Sequence, residues 1–315
     1  MTASLGSVFE QLEIEGGPMI WIQGRPAQGT RHEVLYGALP NTGEPVVVKL
    51  ERTPGALENE QRALAAFGTH NPVAPRLLAA GAAVIRGQRV ACLVTERRPG
   101  SPPTTTDGWW RMGRALARLT EMRLPLGNLT VLDPVTFARR HAQRLNDLGD
   151  RLLPLARSIP DWPQLASPKI PASTPLVITH GDPGPGNYLD NGNEGTLIDW
   201  EETHIAPRGL DLARLAFIAL LGAGPNGYLA RDHQARADAA ADGYLSALRE
   251  SWRPARQEAR WWTTVAGIQF VHRRWQLGGR PAPWEDAAET LHSALTKDRV
   301  WPAADNTTPH PFQTS

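Results

Sequence analysis

The hydrophobic period of this chain changes at a proline-rich break, and that change limits the folds open to it. Before the break, MIWIQ (19–23), HEVLYGAL (32–39) and VVVKLER (46–52) alternate or run apolar in the manner of strands. LLAAGAAVIRG and QRVACLVTE read as a hairpin turned at Arg86-Gly87. Between these strands, ALENEQRALAAFGTH (56–70) takes helical spacing, with Leu57, Ala63, Leu64 and Phe67 on one stripe and Glu58, Glu60 and Arg62 expected on the surface. The break is RRPGSPPTTTDG (97–108). Beyond it, WWRMGRALARLTEM sets Trp109, Met112, Leu116 and Leu119 at three-four-three spacing, and further helices are expected near 135–158, 209–222, 227–250, 255–277 and 284–297. Strand character returns only around 176–200, in TPLVIT, NYLD and GTLIDW. The pattern predicts an α+β chain: a small five-stranded sheet lobe with one helix (1–96), a hinge (97–108), a mainly helical lobe holding one hairpin (109–303) and a disordered polar tail (304–315).

Bulk properties remove several classes of function. The formal net charge of +1 over 315 residues gives no electrostatic case for nucleic acid. The one cysteine, Cys92, excludes an internal disulfide framework and reads as a small buried hydrophobe. No HExxH or CxxC is present, so a dedicated zinc site is not expected. The first residues lack a basic start and an apolar core, and the longest apolar run (215–224) is about half a membrane span, so a cytoplasmic protein without a membrane partner is expected. None of these features bears on oligomeric state.

Chemistry concentrates in THGDPGPGNYL (179–189), a loop too rich in glycine and proline for helix or regular strand. Asp182 and Asn187 lie five apart, and Asp199 follows twelve further on. A hairpin turned at NGNEG would fold Asn187 and Asp199 side by side. Their oxygens suit magnesium, with Asp182 left as a base, which is how transfer from a nucleoside triphosphate is staged. The same chemistry asks for a cation on the phosphates, and VVVKL offers Lys49. Glu60 is the preferred carboxylate to orient it, with Glu58 as the alternative. GRPAQGTR offers backbone amides at Gly24, Gly29 and Thr30. It lacks the lysine and following helix of a Walker A loop.

The set HGDxxxxN, the later Asp of LIDWE, the strand lysine and the helix glutamate resembles the aminoglycoside phosphotransferase and choline kinase superfamily, over about residues 15–297. The resemblance implies a protein-kinase-like two-lobe fold and ATP-dependent phosphorylation of a small-molecule hydroxyl, with GTP as the alternative nucleotide. It implies Asp182 as catalytic base, Asn187 and Asp199 as magnesium ligands, and Lys49 on the α- and β-phosphates, paired with Glu60. It implies adenine held by the Glu96 carbonyl and the Arg98 N–H, and Asp211 supporting the catalytic loop. Gly181 stands where protein kinases carry Arg, and Trp200 follows Asp199 in place of a DFG phenylalanine, which counts against a protein substrate. His180 is expected to be structural, bonded to nearby backbone. Trp200, Glu201 and Glu202 are candidates for the acceptor site, while Arg273 and Arg274 instead suit an anionic group. The alternative function is a nucleotide-binding regulator on the same scaffold.

Overall fold

The computed structural model describes residues 11–26, 32–68, 71–85, 87–122, 129–167, 169–170, 174–221, 233–248, 256–277 and 283–297. Its N-terminal part is a six-stranded antiparallel sheet: β1 (Gln11–Glu13), β2 (Met19–Gly24), β3 (His32–Ala38), β4 (Pro45–Glu51), β5 (Leu77–Ile85) and β6 (Gln88–Glu96), in the order β1-β2-β3-β4-β6-β5. The sheet therefore has one strand more than the expected five. β1 is three residues long and pairs Leu12 with Ile20, too short for an alternating pattern to register. It matters because Ile14 bridges to Ala83 on β5, so the two edges of the sheet approach and shield each other.

Period two then sorts the side chains. Val46, Val48 and Leu50 face a core with Leu12, Ile14, Ile20, Leu35, Cys92 and Val94. Lys49, between two of them, must face the other way. Its cross-strand neighbour Leu93 belongs to the second core, shared with helix α1 (Glu58–Phe67) and the helical part of the chain.

Helix α2 (Thr106–Thr120) starts where Thr105 accepts a hydrogen bond from the Gly108 N–H, and α3 (Pro134–Leu148) where Asp133 caps Val135 and Thr136. The helix expected over 135–158 is interrupted at Gly149 by a 3₁₀ turn, after which α4 (Leu153–Ser158) and α5 (Trp162–Leu165) are short. α6 (Leu210–Leu221), α7 (His233–Ala247), α8 (Arg256–Leu277) and α9 (Pro283–Thr296) complete the helical part. α2 and α7 press backbone to backbone. A Cβ at Gly113 would collide with the Ala240 carbonyl, and one at Gly243 with the Trp110 carbonyl.

Four short strands carry the loop of interest. β7 (Leu176–Thr179) pairs with β10 (His204–Pro207), and β8 (Tyr188–Leu189) with β9 (Thr196–Leu197). The β8–β9 hairpin was expected. The β7–β10 pair was not, because HIAP has no alternation to announce it. The segment expected as a hinge is tied to the helical part: Ser101 exchanges two backbone hydrogen bonds with Asp190, and Arg111 holds the Asp190 carboxylate with two contacts of 2.8 Å. The tail at 304–315 lies outside the described residues, and among the described residues no helix is long and apolar enough to cross a membrane.

Candidate active site

The loop after β7 is fixed from behind before it presents anything in front. Asp211, in the first turn of α6, accepts hydrogen bonds from the His180 N–H at 2.5 Å and the Gly181 N–H at 3.2 Å. Arg214, one turn on, donates to the Gly181 carbonyl and, at 3.0 Å, to Gln269 on α8. Asp211 and Arg214 are the charged residues in LDLARLAFIALL, and both turn inward. That isolated pair, three residues apart on an apolar helix, was a legible signal for Arg214, which sequence reasoning passed over.

His180 is fully buried. Its Nε2 sits 2.9 Å from the Ile198 carbonyl, so Nε2 carries the proton and Nδ1 is free to accept from the Asp182 N–H at 3.4 Å. Its ring lies 4.7 Å from that of Trp200. This imidazole is a strut, tying the Asp182 loop to the strand that delivers Asp199.

Asp182 and Asn187 are brought together. The Asn187 amide donates to the Asp182 carbonyl at 3.0 Å and approaches its carboxylate at 3.5 Å. With the nitrogen so engaged, the Asn187 side-chain oxygen remains as a ligand atom. The hairpin then sets Asn187 opposite Ile198 through a 2.9 Å backbone hydrogen bond, next to Asp199. Asp199 has φ of 66°, and among the described residues it is the single non-glycine with positive φ. Left-handed backbone of this kind concentrates at functional sites.

From the opposite side comes Lys49, its Nζ 2.7 Å from both Glu60 and Asp199 and 3.8 Å from Glu201. Burial opposes its charge, but Glu60 and Asp199 outweigh burial and hold its pKa above the usual lysine range. Burial likewise works against the Asp199 carboxylate, and Lys49 overrides it, so that pKa lies below the ordinary value. Glu60 is pushed up by burial and further by Asp199, with Lys49 opposing. Glu201 is pushed up to about 7 by burial and by the Asp199 charge. Glu58 takes no part; it pairs with Arg62 on the surface.

Several expectations are corrected here. Glu60 is buried with Ala63, Leu64 and Phe67, not exposed. The numbers 60, 63, 64 and 67 are a helical stripe, so a carboxylate in that series was itself the clue. Trp200 cannot wall an acceptor cleft: it is wholly buried, 4.6 Å from the Phe67 ring, with its indole N–H donating to the Leu197 carbonyl. Glu201 turns to the sheet side, where it meets His32 at 2.5 Å, so it belongs with Lys49 and not with an acceptor. Glu202 is exposed, and its backbone packs against Gly181.

Asn59, missed by sequence reasoning, donates to the carbonyls of Glu201 at 2.6 Å and Thr203 at 2.8 Å, pinning α1 to the turn after Asp199. Of the nucleotide-loop residues, Gly24 ends β2, while Gly29 and Thr30 lie outside the described residues. At the hinge, the Glu96 carboxylate binds the Arg76 N–H and the Arg98 guanidinium, both at 2.7 Å.

The model of the "Phosphotransferase enzyme family" matches residues 33–262, a span that includes Lys49, Glu60, Asp182, Asn187 and Asp199. The chain belongs to the phosphotransferase enzyme family. No curated protein sequence matches this phosphotransferase-family chain. Among solved structures, it is similar to a thermostable mutant of an aminoglycoside phosphotransferase in ternary complex with ADP and hygromycin B, at 12% identity and TM-score 0.57 over 87% of this chain and 94% of that one. It is similar to a choline kinase of Cryptosporidium parvum at 14% identity and TM-score 0.55, over 89% of each chain. It is also similar to an amicoumacin kinase solved with AMP-PNP and Ca²⁺, at 11% identity and TM-score 0.54 over 90% of each. At such identities the likeness speaks for fold: this family member has the kinase-like arrangement of an antiparallel sheet followed by a mainly helical part.

Proposed function

We propose that this chain is a magnesium-dependent kinase that moves the γ-phosphoryl group of ATP to a hydroxyl of a small molecule. The observation that carries the reading is the ion-pair relay from Glu60 through Lys49 to Asp199, which spans sheet and helical part within hydrogen-bond distance. Such a relay supports a fixed cation for triphosphate oxygens, across from the Asp182 loop.

The donor set fits a hard divalent ion. Asn187 keeps an amide oxygen, and the Asp199 side chain is 40% exposed, so it is open beyond its contact with Lys49. Asn187 and Asp199 would hold magnesium, which when bound neutralises phosphate charge. Lys49, oriented by Glu60, would hold the α- and β-phosphates, and the Glu96 carbonyl with the Arg98 N–H would hold the adenine. Asp182 would orient the acceptor hydroxyl and take its proton as the new phosphorus–oxygen bond forms and ADP leaves. Asp211, Arg214 and His180 keep that carboxylate in place. Positioning and charge stabilisation supply the rate.

Replacing Asp182 by Ala is expected to lower turnover at least about a thousandfold while nucleotide binding is largely kept. Steady-state ADP release and calorimetric titration with an ATP analogue check both halves. Near-normal turnover would remove Asp182 from its role.

A further inference from the structure

Arginines of two helices, Arg214 and Arg273, meet the loop that carries Asp182, and a third, Arg144, lies near enough to Arg214 to feel its charge. Arg214 of α6 supports the loop from within and feels the charges of Asp211, Asp182 and Glu202. Asp211 is already committed to two loop N–H groups. Arg273 of α8 has a side chain 55% exposed and brings Nη1 to 3.7 Å from the Asp182 carboxylate. That separation is an ion pair longer than a hydrogen bond, and among the described residues the guanidinium has no hydrogen-bond acceptor, which leaves its donors for another partner. Among the described residues Arg144 of α3 meets no carboxylate: burial, then the charges of Arg214 and Arg140, bring its pKa down to about 10. Cations crowded in this way, and part-desolvated, are stabilised by an arriving anion and destabilised by another cation.

The position of Arg273 gives the cluster a consequence for catalysis. An acceptor hydroxyl must settle against Asp182 and thereby comes between that carboxylate and Arg273. A cationic acceptor would bring its own charge against the exposed guanidinium. An acceptor with an anionic arm would give that guanidinium two oxygens in the planar geometry it prefers.

We propose that the acceptor is an alcohol bearing an anionic group, a carboxylate or a phosphate ester, which Arg273 receives while the hydroxyl rests on Asp182. This inference depends on the phosphotransfer reading above and adds the charge class of its substrate. Arg214 braces the loop from behind, and Arg273 makes the contact.

The test offers the full chain, with magnesium and ATP, four probes on one skeleton: glucose 6-phosphate, gluconate, glucose and glucosamine. ADP release is read. Binding of the same probes to the protein loaded with a non-hydrolysable ATP analogue is read by calorimetry, so a probe bound in an unreactive pose still reports its charge preference. The expected result is at least tenfold better recognition of an anionic probe than of glucosamine; the first two probes separate phosphate from carboxylate. Arg273→Glu should abolish that preference and Arg273→Lys should retain most of it, a pattern that general loss of folding would not give. Recognition of glucosamine equal to or better than the acids, or no difference among the four, overturns the anionic assignment and leaves phosphotransfer standing. Failure to bind the nucleotide analogue overturns the reading beneath it, and this proposal with it.

Discussion

Gly181 shows how one residue separates this site from that of a protein kinase. Its φ is 87°, and a Cβ there would strike the Glu202 carbonyl. No L side chain fits, so the arginine that protein kinases carry at this place is sterically barred as well as missing. Gly181→Ala is expected to cost about 1–3 kcal/mol from backbone strain alone, before the clash is counted. Urea unfolding would show the loss, and turnover should fall with it because Asp182 is the next residue. Unchanged stability and activity would mean the loop relaxes freely. His180 was legible in the sequence as a structural histidine, and its two ring contacts explain why. Trp200 was misjudged for a physical reason: adjacency to Asp199 in sequence says nothing of direction, and the Asp199 backbone at φ of 66° sends the next side chain inward.

At the scale of elements, α1 is the part that joins the two halves of the site. Its buried stripe packs Leu64 and Phe67 into the shared core, Glu60 on the same stripe reaches Lys49, and Asn59 one position back holds the turn after Asp199. Asn59→Ala removes both hydrogen bonds to that turn, each contributing roughly 1 kcal/mol. Loosening α1 should raise the KM for ATP several-fold, to about tenfold, with a smaller fall in melting temperature. Kinetics at saturating acceptor would measure it, and an unaltered nucleotide KM would show that the turn is held by other means. The strand containing Lys49 and the hairpin that leads into Asp199 were readable because alternation and a turn sequence announce them. β1 and β10 were not, because QLE is too short and HIAP lacks alternation, so each becomes a strand only through the neighbour it pairs with.

Across the whole molecule, stability should depend on acidity through a group remote from the chemistry. His141 on α3 is fully buried, its ring nitrogens make no hydrogen bond of good geometry among the described residues, and its ring lies 6.4 Å from that of Phe137. Burial, then the charge of Arg144, lowers its pKa to about 4, and the nearby Ala166 backbone only partly offsets this. The unfolded chain, with an ordinary histidine near 6.5, therefore binds more protons between those values. The stability this neutral ring contributes is present above about pH 6.5 and lost as pH falls toward 4, by something on the order of 3 kcal/mol. Chemical denaturation at pH 7, 6 and 5 should show the decline, and His141→Leu should flatten it. Equal slopes in the two proteins would place the acid sensitivity elsewhere.

The sequence by itself determined the order of a sheet followed by helices, the hairpin between Asn187 and Asp199, and the pairing of Lys49 with Glu60. Each is encoded by spacing over a few residues, where periodicity and turn chemistry act. Tertiary structure alone decided that Glu60 is buried, that Trp200 turns away from the cleft, that Asn59 and Arg214 hold the site together, and that Arg273 approaches Asp182. Those outcomes depend on contacts between segments tens to more than a hundred residues apart, and such contacts leave no local period to read.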